Sequence, residues 1–268
     1  SFLFLILEPL MFLSWIGIVT SQGYAGWSRI KSLIDSLNTK IEDKFFDINN
    51  ETFSPVLPLW KKDVQLKLDE HAWTVIIGET GSGKSWLLEK YAELLKLKQK
   101  KFSLIHQEPY LYNDTLENNI FLGLDRTPQR MEIAKKYLKV FGIDILASDL
   151  DSLLKMELGE NGKRVSGGQA KRIALIRSLV ADVEIVLWDD PFSSVDLILE
   201  AQIIQKLQND EKLKTKTFVV TSHRLSTVKA CEYIIYVDKK EGIIDQGFRQ
   251  DKLNKETRID EFFKKQMV

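Results

Sequence analysis

Apolar and polar positions follow two different patterns along this chain. Apolar residues fill most of Phe2–Thr20, whereas short apolar runs alternate with amphipathic stretches beyond residue 45. At 1.5 Å per residue the first run is about as long as one bilayer crossing, which predicts a membrane helix. Arg29 and Lys31 follow the run, so we expect its C-terminal side to face the cytoplasm.

Two other interpretations of Phe2–Thr20 stay open. A signal peptide needs a basic segment before the apolar run, and this sequence shows none. A buried helix of a soluble protein is the second alternative. Glu8 interrupts the run, and a carboxylate at membrane depth is a candidate functional group. A place near a cut end of the chain, or one facing a helix bundle, is the favoured interpretation of Glu8.

Helical periodicity continues after the apolar run. Apolar residues recur at steps of three and four across Gly26–Asp43, which predicts that the helix extends beyond the membrane. Between Phe45 and Pro58 the composition changes to Asn, Thr, Ser and Pro, as at a domain boundary. We therefore expect residues 1–44 to form the membrane helix with its extension and residues 45–268 to form a second domain. Because the chain starts inside an apolar run without Met, we expect it to be part of a longer protein.

The second domain alternates between strand and helix patterns. The predicted strands are Val64–Leu68, Thr74–Ile77, Phe102–Ile105, Glu184–Trp188, Thr217–Thr221 and Tyr233–Val237. The predicted helices are Lys84–Leu95, Gln129–Phe141, Gly168–Val180, Asp196–Gln208 and Asp251–Lys264. Such alternation predicts an α/β fold with a mainly parallel sheet covered by helices. The polar turn at Lys239–Gly242 predicts a hairpin, so antiparallel strands are expected as well.

Composition excludes several classes of function. The chain has 38 basic and 38 acidic residues among 268, so its net charge does not indicate nucleic acid as a partner. A single cysteine, Cys231, rules out an internal disulfide and fits a reducing compartment. Three histidines and the lack of a C-x-x-C motif argue against a His- or Cys-rich metal site.

The strongest motif is a phosphate-binding loop between a predicted strand and a predicted helix. Its eight residues fit G-x-x-x-x-G-K-[ST]: Gly78, Glu79, Thr80, Gly81, Ser82, Gly83, Lys84 and Ser85. Glycines let the backbone N–H groups approach phosphate oxygens, and the helix N-terminus adds partial positive charge. Lys84 is expected to reach the β- and γ-phosphates, and Ser85 to offer its hydroxyl to Mg²⁺.

Two further features fit a nucleotide site. Ile185–Asp189 is an apolar strand ending in a carboxylate, and such an aspartate beside a P-loop holds Mg²⁺, usually through water. A small-residue turn then opens a helix and offers a second anion site; its residues are Ser166, Gly167, Gly168 and Gln169. Since one P-loop binds one nucleotide, we expect the second anion site to bind a nucleotide that is held by another subunit.

Together these motifs resemble the nucleotide-binding domain of ABC transporters. Val165–Gln169 is similar to the LSGGQ signature, and Asp189–Asp196 resembles the Walker B end and the D-loop. His106–Thr115 resembles the Q-loop, and Ser222–Val228 the switch-histidine segment. Leu158–Gly162 resembles a segment typical of exporter-type members. The resemblance covers about Phe45 to the C-terminus, and the N-terminal helix resembles the last membrane helix of a fused exporter half.

The resemblance implies a role for each matching residue. Gln107 would contact Mg²⁺, sense the γ-phosphate and lie near the membrane domain, and His223 would contact the γ-phosphate. Asp196 would act across a dimer interface. Ser166, Gly167, Gly168 and Gln169 would bind the partner's ATP. Adenine would stack on Phe53, with Trp60 as the alternative.

Two positions depart from the family pattern. Val165 replaces the leucine of the signature, which we expect to be harmless, and the second departure has a larger consequence. Asp190 stands where the family normally has the glutamate that activates the attacking water. Its carboxylate is one methylene shorter, about 1.5 Å, which can cost on the order of a hundredfold in rate. We therefore predict a heterodimeric exporter whose second, different ABC subunit carries the glutamate. The other expected partners are the rest of the transmembrane domain and the lipid bilayer of a plasma or inner membrane.

Two alternatives to the exporter remain. A soluble ABC-type ATPase of DNA repair or translation is disfavoured by Phe2–Thr20, by the absence of a coiled-coil insertion and by the balanced charge. A regulatory ATP-binding module with negligible turnover is the second, and Asp190 favours it.

Overall fold

The chain divides into two compact units, residues 1–43 and residues 44–268. The computed structural model describes residues 2–38, 46–47, 52–53, 73–252 and 257–266. The predicted strand at Val64–Leu68 and the candidate aromatic Trp60 lie outside these residues.

The first unit contains one helix, α1, of 37 residues at Phe2–Asn38. Among the described residues, no helix combines the length and the apolar character that a membrane crossing requires. The predicted span at Phe2–Thr20 is therefore not supported by the structure.

The strands among the described residues of the second unit form a short hairpin and a six-stranded sheet. The hairpin pairs β1, Phe46–Asp47, with β2, Thr52–Phe53. The sheet contains β3 Trp73–Ile77, β4 Phe102–Ile105, β5 Ile185–Trp188, β6 Thr217–Thr221, β7 Tyr233–Asp238 and β8 Gly242–Phe248. Their order is β4-β5-β6-β3-β7-β8, with β8 antiparallel to β7 and the other neighbours parallel. The predicted α/β class, parallel core and hairpin are confirmed.

The three central strands are buried along their whole length. Every residue of β3, β5 and β6 is buried, as expected for parallel strands covered on both faces. The rings of Trp73 and Phe218, near the N-terminal ends of β3 and β6, stack at a centroid distance of 4.3 Å, and Trp188, the last residue of β5, meets Phe218 edge-on at 5.4 Å. These aromatic contacts tie the three strands together beneath the site.

The helices surround this sheet. They are α2 Lys84–Leu97, α3 Leu116–Phe121, α4 Pro128–Val140, α5 Leu150–Leu154, α6 Gly167–Val180, α7 Leu197–Gln208, α8 Leu225–Ala230, α9 Arg249–Lys252 and α10 Arg258–Gln266, with 3₁₀ turns at Asp144–Leu146 and Glu160–Gly162. Four predicted helices are confirmed within two residues at each end. The single helix predicted at Asp251–Lys264 is wrong. Its second half starts afresh after Thr257, whose hydroxyl accepts a hydrogen bond from the backbone N–H of Asp260 at 3.2 Å and caps α10.

Candidate functional site

The site lies at one edge of the sheet, where β3, β5 and β6 end. The loop 78–83 follows β3, Asp189 and Asp190 follow β5, and Ser222 and His223 follow β6. Because these neighbouring strands are parallel, their carboxyl ends meet at this edge, where open α/β sheets bind ligands.

The glycines of the loop are required by its geometry. A Cβ on Gly78 would lie 2.2 Å from the carbonyl oxygen of Val237, so only glycine fits there. Gly83 has φ of 100°, in the region that favours glycine, and directly precedes α2. Gly83 therefore turns the chain so that the first turn of α2 faces the space inside the loop.

Lys84 places its charge inside this loop. Its Nζ donates to the carbonyl oxygens of Gly78 and Glu79, both at 2.8 Å. Burial lowers the pKa of the Lys84 ammonium below its ordinary value, and the carboxylates of Asp190 and Asp189 oppose that shift. A cation held in an arc of backbone groups is suited to binding phosphate oxygens.

Three oxygen-bearing side chains meet beside Lys84. Oδ1 of Asp189 accepts hydrogen bonds from Ser85 Oγ at 3.0 Å and from Thr221 Oγ1 at 2.6 Å. Hydroxyl and carboxylate oxygens are the ligands that Mg²⁺ prefers, so Ser85 and Asp189 fit this ion. The side chain of Gln107, the third predicted ligand, is exposed at the end of the neighbouring β4.

Asp190 and His223 also come together. The carboxylate Oδ1 of Asp190 lies 3.8 Å from Nδ1 of His223, and the Asp190 side chain is 17% exposed against 57% for His223. Asp190 has φ of +44°, in the left-handed region that few non-glycine residues adopt. Its backbone N–H donates to Thr221 Oγ1 at 2.8 Å.

Lys171, which is only 2% exposed, is a further residue of the site that the sequence motifs do not indicate. Its Nζ donates to the carbonyl oxygens of Gln107 at 2.6 Å and Asp189 at 3.2 Å, so it joins the Q-loop to the Walker B strand. Burial lowers the pKa of Lys171, and Asp190, Asp189 and Glu108 oppose that shift. One signal was available, since Lys171 shares a helix face with Ala174 and Ser178, which are buried.

The signature turn is built as a helix cap. Ser166 Oγ accepts from the backbone N–H of Gln169 at 3.2 Å, and Gln169 Oε1 accepts from the backbone N–H of Ser166 at 2.7 Å. A Cβ on Gly168 would lie 2.6 Å from the carbonyl oxygen of Ser194, whereas one on Gly167 would meet nothing within 4 Å. Within the described part of the chain, no hydrogen bond or ion pair joins these four residues to the P-loop.

The D-loop is tied to the segment that carries His223. Arg224 donates to the carbonyl oxygens of Ser193 at 3.1 Å and Val195 at 2.7 Å, and to the buried carboxylate of Glu200 at 2.6 Å. Asp196, the predicted cross-interface residue, caps α7 by accepting from the backbone N–H of Leu199 at 2.9 Å.

The predicted adenine contact stays a prediction. Phe53 lies in β2, where it pairs with Phe46, but its side chain is outside the part of the chain that the structure describes. The same is true of Trp60.

The glycine loop between β3 and α2, the carboxylate after β5 and the parallel sheet define a P-loop nucleotide-binding protein. A profile of the ABC transporter family matches residues 61–193. This chain therefore contains an ATP-binding domain of the ABC transporter family. Domains of this family bind ATP, normally with Mg²⁺, and hydrolyse it.

Individual relatives extend the likeness beyond the profile. The chain is 31% identical, over 95% of its length and 48% of the relative, to a multidrug resistance-like ATP-binding protein, MdlA, from Buchnera aphidicola. It is 30% identical, over 72% of its length and 36% of the relative, to an ATP-dependent lipid A-core flippase from Wigglesworthia glossinidia brevipalpis. The chain thus spans about half or less of the length of these relatives.

A solved structure has the same fold. The structure of a bacterial Atm1-family ABC exporter with ATP bound matches with a TM-score of 0.68 and 22% identity, over 78% of this chain and 39% of that one. At this identity the match concerns the fold alone.

Proposed function

We propose that this chain is the ATP-binding part of an ABC exporter subunit, and that its own P-loop site hydrolyses ATP slowly. The observation that carries the proposal is the meeting of Lys84, Ser85, Asp189 and Asp190 at one sheet edge, apart from an intact signature turn. The relatives named as a multidrug resistance-like protein and as a lipid A-core flippase support export across a membrane.

The residues divide the work on ATP. Lys84 binds the β- and γ-phosphates, and Ser85 and Asp189 hold Mg²⁺, which neutralises charge on those phosphates when bound. Asp190 accepts the proton of the attacking water, and His223, 3.8 Å from it, contacts the γ-phosphate. Gln107 contacts Mg²⁺ and passes the state of the site towards the membrane domain.

A second chain completes the arrangement. Each ATP lies between the P-loop of one chain and the signature of the other, so Ser166, Gly167, Gly168 and Gln169 serve the partner's nucleotide. With aspartate in place of glutamate, this chain's P-loop site retains ATP and turns over slowly. The partner is a different ABC subunit with a glutamate base, and no nucleic acid takes part. The complex is integral to a plasma or inner membrane, with the ATP-binding domain in the cytoplasm.

Substitutions of the two bases in the intact complex test this proposal. Asp190→Asn should lower total ATPase only modestly, whereas removing the partner's base should nearly abolish it. Asp190→Glu should raise turnover at this chain's site by up to about a hundredfold, because it restores the reach of the carboxylate. Asp125→Asn, an exposed substitution, is the control. Loss of all turnover in Asp190→Asn, or rapid hydrolysis by a complex of this chain alone, would contradict the unequal sites.

Two rival functions make different predictions in the same preparations. A soluble ABC-type ATPase of DNA repair or translation would leave the full-length protein in the aqueous fraction after membranes are sedimented. A regulatory ATP-binding module, which Asp190 favours, would show no gain in turnover in Asp190→Glu.

A further inference from the structure

We propose that Thr221 is a positioning residue that sets both carboxylates of this site, Asp189 for Mg²⁺ and Asp190 for the attacking water. The inference rests on the proposed function, because it concerns how the same ATP site is held in shape.

The hydroxyl of Thr221 links the two aspartates directly. It donates to Asp189 Oδ1 at 2.6 Å and accepts from the backbone N–H of Asp190 at 2.8 Å. A hydroxyl has one hydrogen to donate, and here that hydrogen is used on Asp189. The orientation of the Thr221 hydroxyl is therefore fixed by its hydrogen bonds to Asp189 and Asp190. Because Thr221 is 1% exposed, water does not compete for these bonds.

The place of Thr221 in the sheet explains why it reaches both residues. It is the last residue of β6, paired with Ile76 on β3, and Asp189 and Asp190 follow the neighbouring strand β5. The hydroxyl of Thr221 is therefore carried by a residue that is fixed within the sheet. Asp190, in contrast, lies beyond Trp188, the last residue of β5.

Each of the two bonds has its own consequence. The bond to Asp189 orients Oδ1, which also accepts from Ser85 Oγ at 3.0 Å, so the two predicted Mg²⁺ ligands stay adjacent. The bond from the Asp190 N–H holds a backbone with φ of +44°, which directs the carboxylate to within 3.8 Å of His223 Nδ1. Without the hydroxyl, a buried N–H group and a carboxylate oxygen each lose a partner.

A matched pair of substitutions isolates the hydroxyl. Thr221→Val keeps the shape and removes the oxygen, and Thr221→Ser keeps the oxygen and removes the methyl group. Thr74→Val is the control, since Thr74 lies on the adjacent β3, is 0% exposed, and its hydroxyl has no hydrogen-bond partner among the described residues. The three variants of the full-length protein are compared with the wild type for ATP affinity in excess Mg²⁺ and in EDTA.

Thr221→Val should reduce the gain in ATP affinity that Mg²⁺ provides by about tenfold, with affinity in EDTA unchanged, because the lost bond is to a charged ligand of the ion. Thr221→Ser and Thr74→Val should keep that gain. Equal losses in Mg²⁺ and EDTA would show a structural role and overturn the inference, as would a normal gain in Thr221→Val.

The serine variant decides the case if the valine variant does not fold. Its retention of the Mg²⁺ gain supports the hydroxyl as the working group, and its loss of the gain overturns that assignment. Failure of the wild-type chain to bind ATP at all would instead overturn the proposed function and this inference together.

Discussion

The P-loop and the signature turn both open a helix of 14 residues, yet their first turns are satisfied in opposite ways. Gly83 caps α2 and makes no side-chain hydrogen bond to the first turn of that helix. Ser166 and Gln169 cap α6 reciprocally, which engages the N–H group of Gln169 in the first turn and that of the cap residue Ser166. The ammonium group of Lys84 also lies within the P-loop, against the carbonyl oxygens of Gly78 and Glu79. From this difference we expect the P-loop to carry the ATP affinity of this chain, and the signature turn to contribute only when a partner brings a nucleotide to it.

Among substitutions that distinguish the P-loop from the signature turn, Gly168→Asp is expected to have the largest effect on ATP hydrolysis. A Cβ there would lie 2.6 Å from the Ser194 carbonyl oxygen, and a carboxylate would repel phosphate. We expect ATP-driven association and hydrolysis at the partner's site to be nearly abolished, with ATP affinity at this chain's P-loop close to normal. Equilibrium ATP binding and ATPase assays of the complex measure the two sites separately. Lost binding here with intact turnover at the partner's site would reverse the comparison.

Lys84→Ala tests the other side of the comparison. Charge-assisted hydrogen bonds contribute about 1.5–3 kcal/mol, so we expect ATP affinity to fall tenfold or more. Lys90→Ala is a matched control on the same helix, because Lys90 pairs with Glu93 rather than facing the loop. Titration with labelled ATP measures the effect, and unchanged affinity in Lys84→Ala would mean that the P-loop cation is not the main contact.

The smallest effect is expected from Ser166→Ala, which opens the cap of α6. Losing a serine N-cap costs about 1 kcal/mol, which lowers the Tm of a domain of this size by about 2–4 °C. ATP affinity at the P-loop should not change. Ser166→Thr retains a capping hydroxyl and should keep the wild-type Tm in calorimetry. A fall in ATP affinity without a fall in Tm would indicate that the turn acts on this chain's own nucleotide.

Features that depend on local sequence spacing could be predicted, whereas contacts between residues far apart in the sequence could not. The P-loop was readable because strand, glycines and lysine are contiguous, and the strands 102–105 and 217–221 were predicted to the residue. The bonds of Thr221 and Lys171 join residues 18 to 64 positions apart, and no short-range pattern encodes them. The prediction at Asp251–Lys264 failed because helical periodicity continues through Thr257, where a capping hydroxyl restarts the helix.

The indole of Trp188 gives this protein an optical reporter at its centre. Trp188 directly precedes Asp189, is 0% exposed, and its Nε1 donates to Ser178 Oγ on α6 at 2.9 Å. The emission wavelength of an indole depends on the polarity and hydrogen bonding around the ring. A displacement of α6 relative to β5 would therefore shift the emission maximum of Trp188. The helix that starts at the signature turn and the strand that precedes the predicted Mg²⁺ ligand Asp189 are thus connected through one fluorophore. Once the other five of the six tryptophans are replaced, their relative motion can be followed without an added label.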